Sequence, residues 1–167
     1  MHFGCIGGKQ AKIIENCTYK EGWGFMNREY IDITSYEGEG YKPLIDYQAW
    51  RVAVLRYCEE LEIRNLKTMQ KHNESDEVFV LLEGNCTLFV GGKGEGVNEL
   101  DGIAMKPMKL YNVKRGVWHT HTLDKNGSVL IIENQDTSDR NSPTVKLSSD
   151  QLTELKQIFQ DNGFLNQ

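Results

Sequence analysis

The stretch that decides the fold runs from His72 to Gly84 and reads HNESDEVFVLLEG. An imidazole, His72, and a carboxylate, Glu77, stand on either side of a short polar turn. The apolar, valine-rich run that follows is typical of a buried strand, and it ends near a glycine. We therefore expect one strand to end and the next to begin here, with both side chains directed into one interior pocket.

A second segment, residues 115–121, reads RGVWHTH and supplies two more imidazoles. Side chains two residues apart in a strand share a face, so His119 and His121 are expected to point the same way. The same rule pairs Gln70 with His72, on the face opposite to their lysine neighbours. The two segments together therefore predict a group of polar side chains inside a β-barrel.

Two histidines and one carboxylate form the ligand set that proteins use for Fe(II), and the same set suits Mn, Ni or Zn. Such a set leaves coordination positions open for water or substrate. The pattern therefore predicts a single site for one divalent metal ion. Two simpler interpretations stay open: His72 and Glu77 can hydrogen-bond to each other at a strand turn, and His119 can be an ordinary core histidine.

Short segments rich in β-branched and aromatic residues predict strands through the middle of the chain, although residues 50–57 also fit a helical stripe. In the segment of residues 66–72, the face that carries Lys67, Met69 and Lys71 is expected to face solvent. Residues 83–85 and the pair Asn126-Gly127 are expected to close hairpins. The predicted strands are residues 50–57, 66–72, 77–82, 86–90, 103–105, 109–113, 118–123 and 128–133. Many short strands with close turns favour a mainly β fold, an antiparallel barrel or jelly roll.

The C-terminal part changes to a helical pattern. Ser148 and Gln151 have the spacing of a capping box, and an apolar stripe follows at helical intervals. This predicts a helix over about residues 150–161 that packs outside the barrel. We expect one domain: an N-terminal arm with a short strand at 12–15 (1–45), a barrel (46–140) and the helix (148–163).

Composition limits the classes of partner. The 167 residues carry a formal net charge of −5 without a basic cluster, so nucleic acid is not expected as a partner. No apolar run approaches the ~20 residues that span a bilayer, so a membrane is not expected either. The N-terminus lacks the pattern of a secretory signal, which favours the cytoplasm. The four cysteines form no Cys-x-x-Cys pair and are expected to be free thiols.

The spacing His72-x4-Glu77-x6-Gly84 resembles most of the first motif of the cupin family, and Gly116-x2-His119 resembles the core of the second. The resemblance covers residues 66–133 and implies a cupin-type jelly-roll barrel. It also implies metal ligands at positions 70, 72, 77 and 119. Here Gln70 stands where the family carries histidine, and Lys114 stands where proline is usual.

A narrower resemblance adds a possible activity. Residues 115–119, followed by the strand 128–133, look like the corresponding stretch of the ureidoglycolate lyase group of cupin-like proteins. That resemblance implies a small carbonyl or carboxylate substrate and a lyase reaction.

These observations lead to a hypothesis in which one divalent ion is held by His72, Glu77 and His119 and polarises the carbonyl of a small metabolite. Gln70 is then a weak fourth ligand or orients a bound water, and His121 is the general acid or base. Tyr111 and Trp118 either contact the substrate or simply pack.

Two further hypotheses stay open: a non-catalytic barrel that binds a small ligand, and a metal-free, lyase-like enzyme. Because the edges of a jelly-roll sheet need protection, we also expect a homodimer.

Overall fold

Two five-stranded antiparallel sheets face each other across an apolar core in the computed structural model, which describes residues 30–162. The first sheet has the strand order β1 (Gly40–Tyr47), β2 (Trp50–Arg56), β9 (Ser128–Asn134), β4 (Glu77–Glu83), β7 (Leu110–Val113). The second has the order β10 (Thr144–Lys146), β3 (Thr68–Gln70), β8 (Val117–Leu123), β5 (Cys86–Lys93), β6 (Asp101–Ala104). The strand interpretation of residues 50–57 is therefore confirmed over its first seven residues, and the helical one is wrong.

Alternation along the strands builds the core between the sheets. Phe79 and Leu81 of β4 and Ile131 of β9 are buried, whereas their strand neighbours are at least partly exposed. Val129 of β9 is buried as well. Phe79 lies directly opposite Ile131 in the register of the two strands. Side chains at every second position therefore point inward, and this places the first residue of β4, Glu77, in the interior.

The two predicted hairpins are wrong. β4 belongs to the first sheet and β5 to the second, and likewise β8 and β9 lie in different sheets. Gly84 has φ of +70° and turns the chain from one sheet to the other. A Cβ atom on Gly84 would lie 2.7 Å from the backbone of Gly127. The turn between β4 and β5 therefore packs closely against the turn between β8 and β9. A turn sequence indicates a change of direction, but it does not indicate which sheet the next strand joins.

The C-terminal helix α1 (Ser149–Asp161) covers the outer face of the second sheet. Its capping box is confirmed, because the Ser148 side chain accepts from the Gln151 amide while the Gln151 side chain accepts from the Ser148 amide. The helix adds Leu155 to a second apolar cluster, here called the outer cluster. Its buried members are Leu66, Met69, Phe89, Trp118, Leu147 and Leu155.

Met69 corrects one expectation, since only 1% of it is exposed. The face of β3 that carries Met69 looks outward from the barrel, as predicted, but it packs in the outer cluster with Leu155 of the helix. The two lysines beside Met69 therefore indicated correctly that this face of β3 points out of the barrel. They did not indicate that the helix covers Met69.

The strands extend from residue 40 to residue 146, somewhat beyond the expected barrel of residues 46–140. β1 pairs with β2 along its length, and β10 pairs with β3. The short strand expected at residues 12–15 lies outside the described residues.

Two of the cysteines lie within the described residues. Cys86 is a free, buried thiol, as expected. Cys58 is disulfide-bonded, so the expectation of a free thiol is wrong for this residue. Among residues 30–162, no helix has the length and apolar character needed to cross a bilayer.

Candidate metal centre

Three side chains from different parts of the chain meet between the sheets. Glu77 begins β4 in the first sheet, His119 lies in β8 of the second, and His72 follows β3 by two residues. Their exposed fractions are 1%, 0% and 4%. His72 Nε2 lies 2.8 Å and His119 Nε2 lies 2.9 Å from the same carboxylate oxygen, Glu77 Oε2. One potential ligand atom from each residue lies within 4.8 Å of the other two.

The backbone holds the two motif segments together. The Gly116 amide donates to the carbonyl oxygen of His72 over 2.7 Å. Gly116 has φ of +78°, a conformation that glycine adopts without strain, and the strand that carries His119 begins immediately after it. The glycine of the second motif therefore positions one ligand segment against the other.

The hydrogen bond of His119 determines which of its nitrogens carries a proton. Its Nδ1 lies 3.0 Å from the carbonyl oxygen of Val117. A carbonyl can only accept, so Nδ1 carries the hydrogen and donates. In the neutral imidazole, Nε2 then has a lone pair, and this lone pair is directed toward the Glu77 carboxylate.

A short chain of hydrogen bonds has the same effect on His72. Its Nδ1 lies 2.7 Å from Ser142 Oγ, and the Ser142 hydroxyl donates to Asn141 Oδ1. The Ser138 amide also donates to this oxygen, which identifies it as the acceptor end of the Asn141 amide. Ser142 therefore accepts from His72 Nδ1–H, and Nε2 of a neutral His72 is left with its lone pair facing Glu77. Metal-binding histidines characteristically have such a partner on the other ring nitrogen.

The Glu77 carboxyl is ionised at neutral pH. Complete burial opposes ionisation, but the hydrogen bonds and charges of His119 and His72 outweigh it and lower the pKa of Glu77 to about 2. Its second oxygen, Oε1, is buried without a hydrogen-bond partner among the described residues. The carboxylate thus has an oxygen that no described protein group satisfies.

These contacts fit a divalent cation. His72 Nε2 and Glu77 Oε2 are within hydrogen-bond distance, so a proton on Nε2 satisfies this contact when no metal is bound. With both imidazoles neutral, the two Nε2 nitrogens and the carboxylate oxygen are all electron-pair donors that a metal cation can accept. Two nitrogens and one carboxylate are a ligand set for Fe, Mn, Ni or Zn. The donor set and the buried Oε1 are therefore consistent with one such ion, bound by His72, Glu77 and His119.

Gln70 lies beside this group. It is nearly fully buried and pairs directly with His119 in the register of β3 and β8. Residues opposite each other on adjacent strands share a face, so Gln70 is on the inner side with His119. This position suits both roles considered for Gln70, a weak fourth ligand and a residue that orients water.

His121 shares the inner face of β8 with His119, and its ring centroid lies 5.7 Å from that of Phe79. Burial is the main reason that the pKa of His121 falls to about 4, with His119 lowering it further and Glu77 opposing. The side chain is therefore neutral at pH 7 and lies at the next inward position of β8 after His119, a candidate metal ligand.

The two aromatic candidates occupy different places. Tyr111 lies opposite Phe79 on the first sheet, and its hydroxyl accepts from the Lys106 amide at 2.9 Å. Trp118 belongs to the outer cluster, its Nε1 donates to the Gly94 carbonyl, and the Lys71 ammonium lies over its ring. The structure therefore does not bring Trp118 together with the three ligands, because adjacent residues in a strand point to opposite faces.

Three residues near the site were not selected from the sequence: Ser142, Glu133 and Tyr41. Glu133 continues the inward alternation of Val129 and Ile131, so the strand pattern contained a signal for it. Ser142 gave no such signal, since it is 70 residues from the histidine that it contacts.

No family model and no curated protein matches this chain. Among solved structures it is similar to hydroquinone 1,2-dioxygenase from Sphingomonas sp. TTNP3 with bound 4-hydroxybenzoate, with 11% identity and a TM-score of 0.51 over 71% of this chain and 84% of that one. At this identity the likeness concerns the fold alone.

Two further structures have TM-scores below 0.5. A cupin-2 domain protein from Shewanella frigidimarina has 19% identity and a TM-score of 0.41, over 58% of this chain and 83% of that one. The DMSP lyase DddQ from Ruegeria pomeroyi has 15% identity and a TM-score of 0.45, over 64% of this chain and 50% of the lyase. The two antiparallel sheets and the outer helix agree with the mainly β, cupin-type class expected from the sequence.

Proposed function

We propose that this protein is a metal-dependent enzyme that acts on a small polar carbonyl or carboxylate metabolite. The observation that carries the proposal is the convergence of His72 Nε2 and His119 Nε2 on one oxygen of Glu77, with the other ring nitrogen of each histidine held by a hydrogen bond. A divalent ion bound there supplies Lewis-acid polarisation of a substrate oxygen.

The protein's own residues have separate roles in this proposal. His72, Glu77 and His119 hold the ion, and Ser142 and the Val117 carbonyl fix the orientation of the two imidazoles. Gln70 lies opposite His119 and orients a water or a ligand oxygen. His121, on the same face of β8, accepts or returns a proton.

The finer assignment is a lyase reaction related to that of the ureidoglycolate lyase group. It is supported by the likeness of residues 115–119 and 128–133 to that group. Both segments contribute interior residues, His119 from the first and Glu133 from the second.

Turnover tests the enzymatic proposal. The protein is loaded separately with Zn, Ni, Mn and Fe(II) and incubated with a panel of small carbonyl and carboxylate compounds that includes ureidoglycolate, and products are followed by NMR. We expect turnover by the parent and by Glu83→Gln, an exposed carboxylate of the same strand, and none by Glu77→Gln. A panel that binds but stays unreacted with every metal would identify a binding protein instead.

We also propose a homodimer formed through the outer face of the first sheet. The middle of the outer face of β2, β4 and β9 is apolar, and the polar residues Arg56, Ser128 and Asn134 lie only at strand ends. The apolar outward residues are Trp50, Val52, Val54, Val78, Val80, Leu82, Leu130 and Ile132. Such a surface is complementary to itself, as a two-fold interface requires. For the compartment, the disulfide bond of Cys58 favours an oxidising environment.

A further inference from the structure

Glu133 is a second acidic residue of the barrel interior. The register of β4 and β9 pairs Phe79 with Ile131 and Val78 with Ile132. The next residues along the two strands are Glu77 and Glu133, so their side chains stand side by side on the inner face. Glu133 is therefore a neighbour of Glu77, one of the proposed metal ligands.

Only 3% of Glu133 is exposed, and its two oxygens differ in their surroundings. The Tyr41 hydroxyl donates to Oε1. Oε2 is buried and has no hydrogen-bond partner among the described residues. A buried carboxylate oxygen without a partner costs free energy, so a group that satisfies it is expected from a bound molecule.

The ionisation of Glu133 agrees with this arrangement. Burial is the largest influence and, together with the charge of Glu77, raises the pKa of Glu133 to about 7, although the Tyr41 hydrogen bond opposes the rise. The acceptor role of Oε2 rests on the geometry: the Tyr41 hydroxyl donates to Oε1, and no described protein group donates to the buried Oε2 of the carboxylate.

We propose that Glu133 is a specificity-determining residue whose Oε2 accepts a hydrogen bond from a hydroxyl or N–H group of the molecule bound to the metal. This inference rests on the proposed metal site and narrows its ligand class. The preferred ligand is a small molecule in which a hydroxyl or N–H group lies next to the metal-binding oxygen, as in 2-hydroxy acids, amides and ureas. A simple carboxylate has no donor for Oε2 and is disfavoured.

The test uses acetohydroxamic acid, which binds divalent ions through two oxygens and carries an N–H group beside them. Its N-methyl derivative has the same oxygens and lacks the N–H. Dissociation constants of both probes are measured by calorimetry on the metal-loaded parent, Glu133→Gln and Glu83→Gln. Glu133→Gln keeps the side-chain shape and removes the charge, and Glu83→Gln makes the same change at an exposed position.

We expect acetohydroxamic acid to bind about tenfold more weakly to Glu133→Gln than to the parent and Glu83→Gln, because a hydrogen bond to a charged acceptor is stronger than one to a neutral amide. The N-methyl derivative is expected to bind all three proteins equally. Equal affinity of acetohydroxamic acid for the parent and Glu133→Gln, or no binding to the metal-loaded parent, overturns the inference alone. A parent that takes up no metal overturns the proposed function as well.

Discussion

At the scale of single residues, the protons on the two histidines determine what the site can bind. His72 and His119 each use Nδ1 for a protein acceptor and direct Nε2 at Glu77. The acceptors differ: His119 uses a backbone carbonyl, which substitution leaves in place, and His72 uses the Ser142 hydroxyl. Ser142 is therefore the partner that mutagenesis can remove.

Ser142→Ala is expected to weaken metal affinity about 10- to 100-fold, the usual effect of removing a partner of a metal-binding histidine. The three ligands remain, so the variant should still reach full occupancy at high metal concentration. Competition with a chromophoric chelator measures the affinity, and Ser149→Ala, at an exposed helical position, is the control. An affinity equal to that of the parent would show that Ser142 does not orient His72.

Glu133 is expected to make the stability of the metal-free protein depend on pH. Its pKa is raised from 4.5 to about 7, so the folded state resists its ionisation and the free energy of unfolding falls as the pH rises through this interval. Relative to Glu133→Gln, the parent should lose roughly 2–3 kcal/mol between about pH 5 and pH 8. Denaturant unfolding at both pH values measures this difference. A constant difference would contradict the raised pKa.

At the scale of elements, the alternation of apolar and polar residues predicts where the strands lie. It does not predict which strands pair with each other. The period-two pattern of β4 and β9 identified both strands and the inward direction of Glu77. Gly84 and Gly127 marked turns correctly, but local sequence carries no information on the sheet that a strand joins after a corner. The exposure of Met69 was mispredicted for a similar reason, because the helix that covers it lies about 80 residues later in the chain.

Helix α1 is expected to stabilise the barrel through Leu155, its fully buried residue in the outer cluster. Leu155→Ala should lower the free energy of unfolding by about 2–5 kcal/mol, the usual range for a buried leucine. Glu154→Ala, at the exposed neighbouring position, should change it by less than about 0.5 kcal/mol. Equal effects of the two substitutions in denaturant unfolding would show that the helix is not docked on the sheet.

At the scale of the whole molecule, the outer faces of the two sheets differ. The helix covers the second sheet, whereas the first exposes large apolar side chains, among them Leu82 (46%) and Leu110 (73%). Ile132→Lys places a charge on the central strand of this sheet and is expected to convert a dimer into monomers. Sedimentation velocity at micromolar concentration measures the change, with Thr153→Lys on the exposed side of the helix as control. A monomeric parent would rule out the proposed dimer.

The candidate metal ligands could be selected from the sequence because their spacing is a local pattern, as for His72 and Glu77. Ser142 could not be selected in this way, because it acts on His72 through contacts distant in sequence. The inward direction of Glu133 could have been predicted, since it continues the alternation of Val129 and Ile131 along β9. Its contact with Tyr41 could not, because Tyr41 lies on the edge strand β1 of the sheet. Residues that follow a local pattern could therefore be predicted, whereas contacts between residues distant in the sequence could not.

The most direct test of the central claim is the metal content of the protein purified without chelator and then equilibrated with Zn, Ni, Mn or Fe(II). Elemental analysis is made on the parent, Glu77→Gln and Glu83→Gln, with circular dichroism to verify folding. The metal-centre account predicts about one tightly held ion per chain in the parent and Glu83→Gln, and none in a folded Glu77→Gln. A parent that retains no divalent ion, or a Glu77→Gln protein that retains as much as the parent, would contradict it.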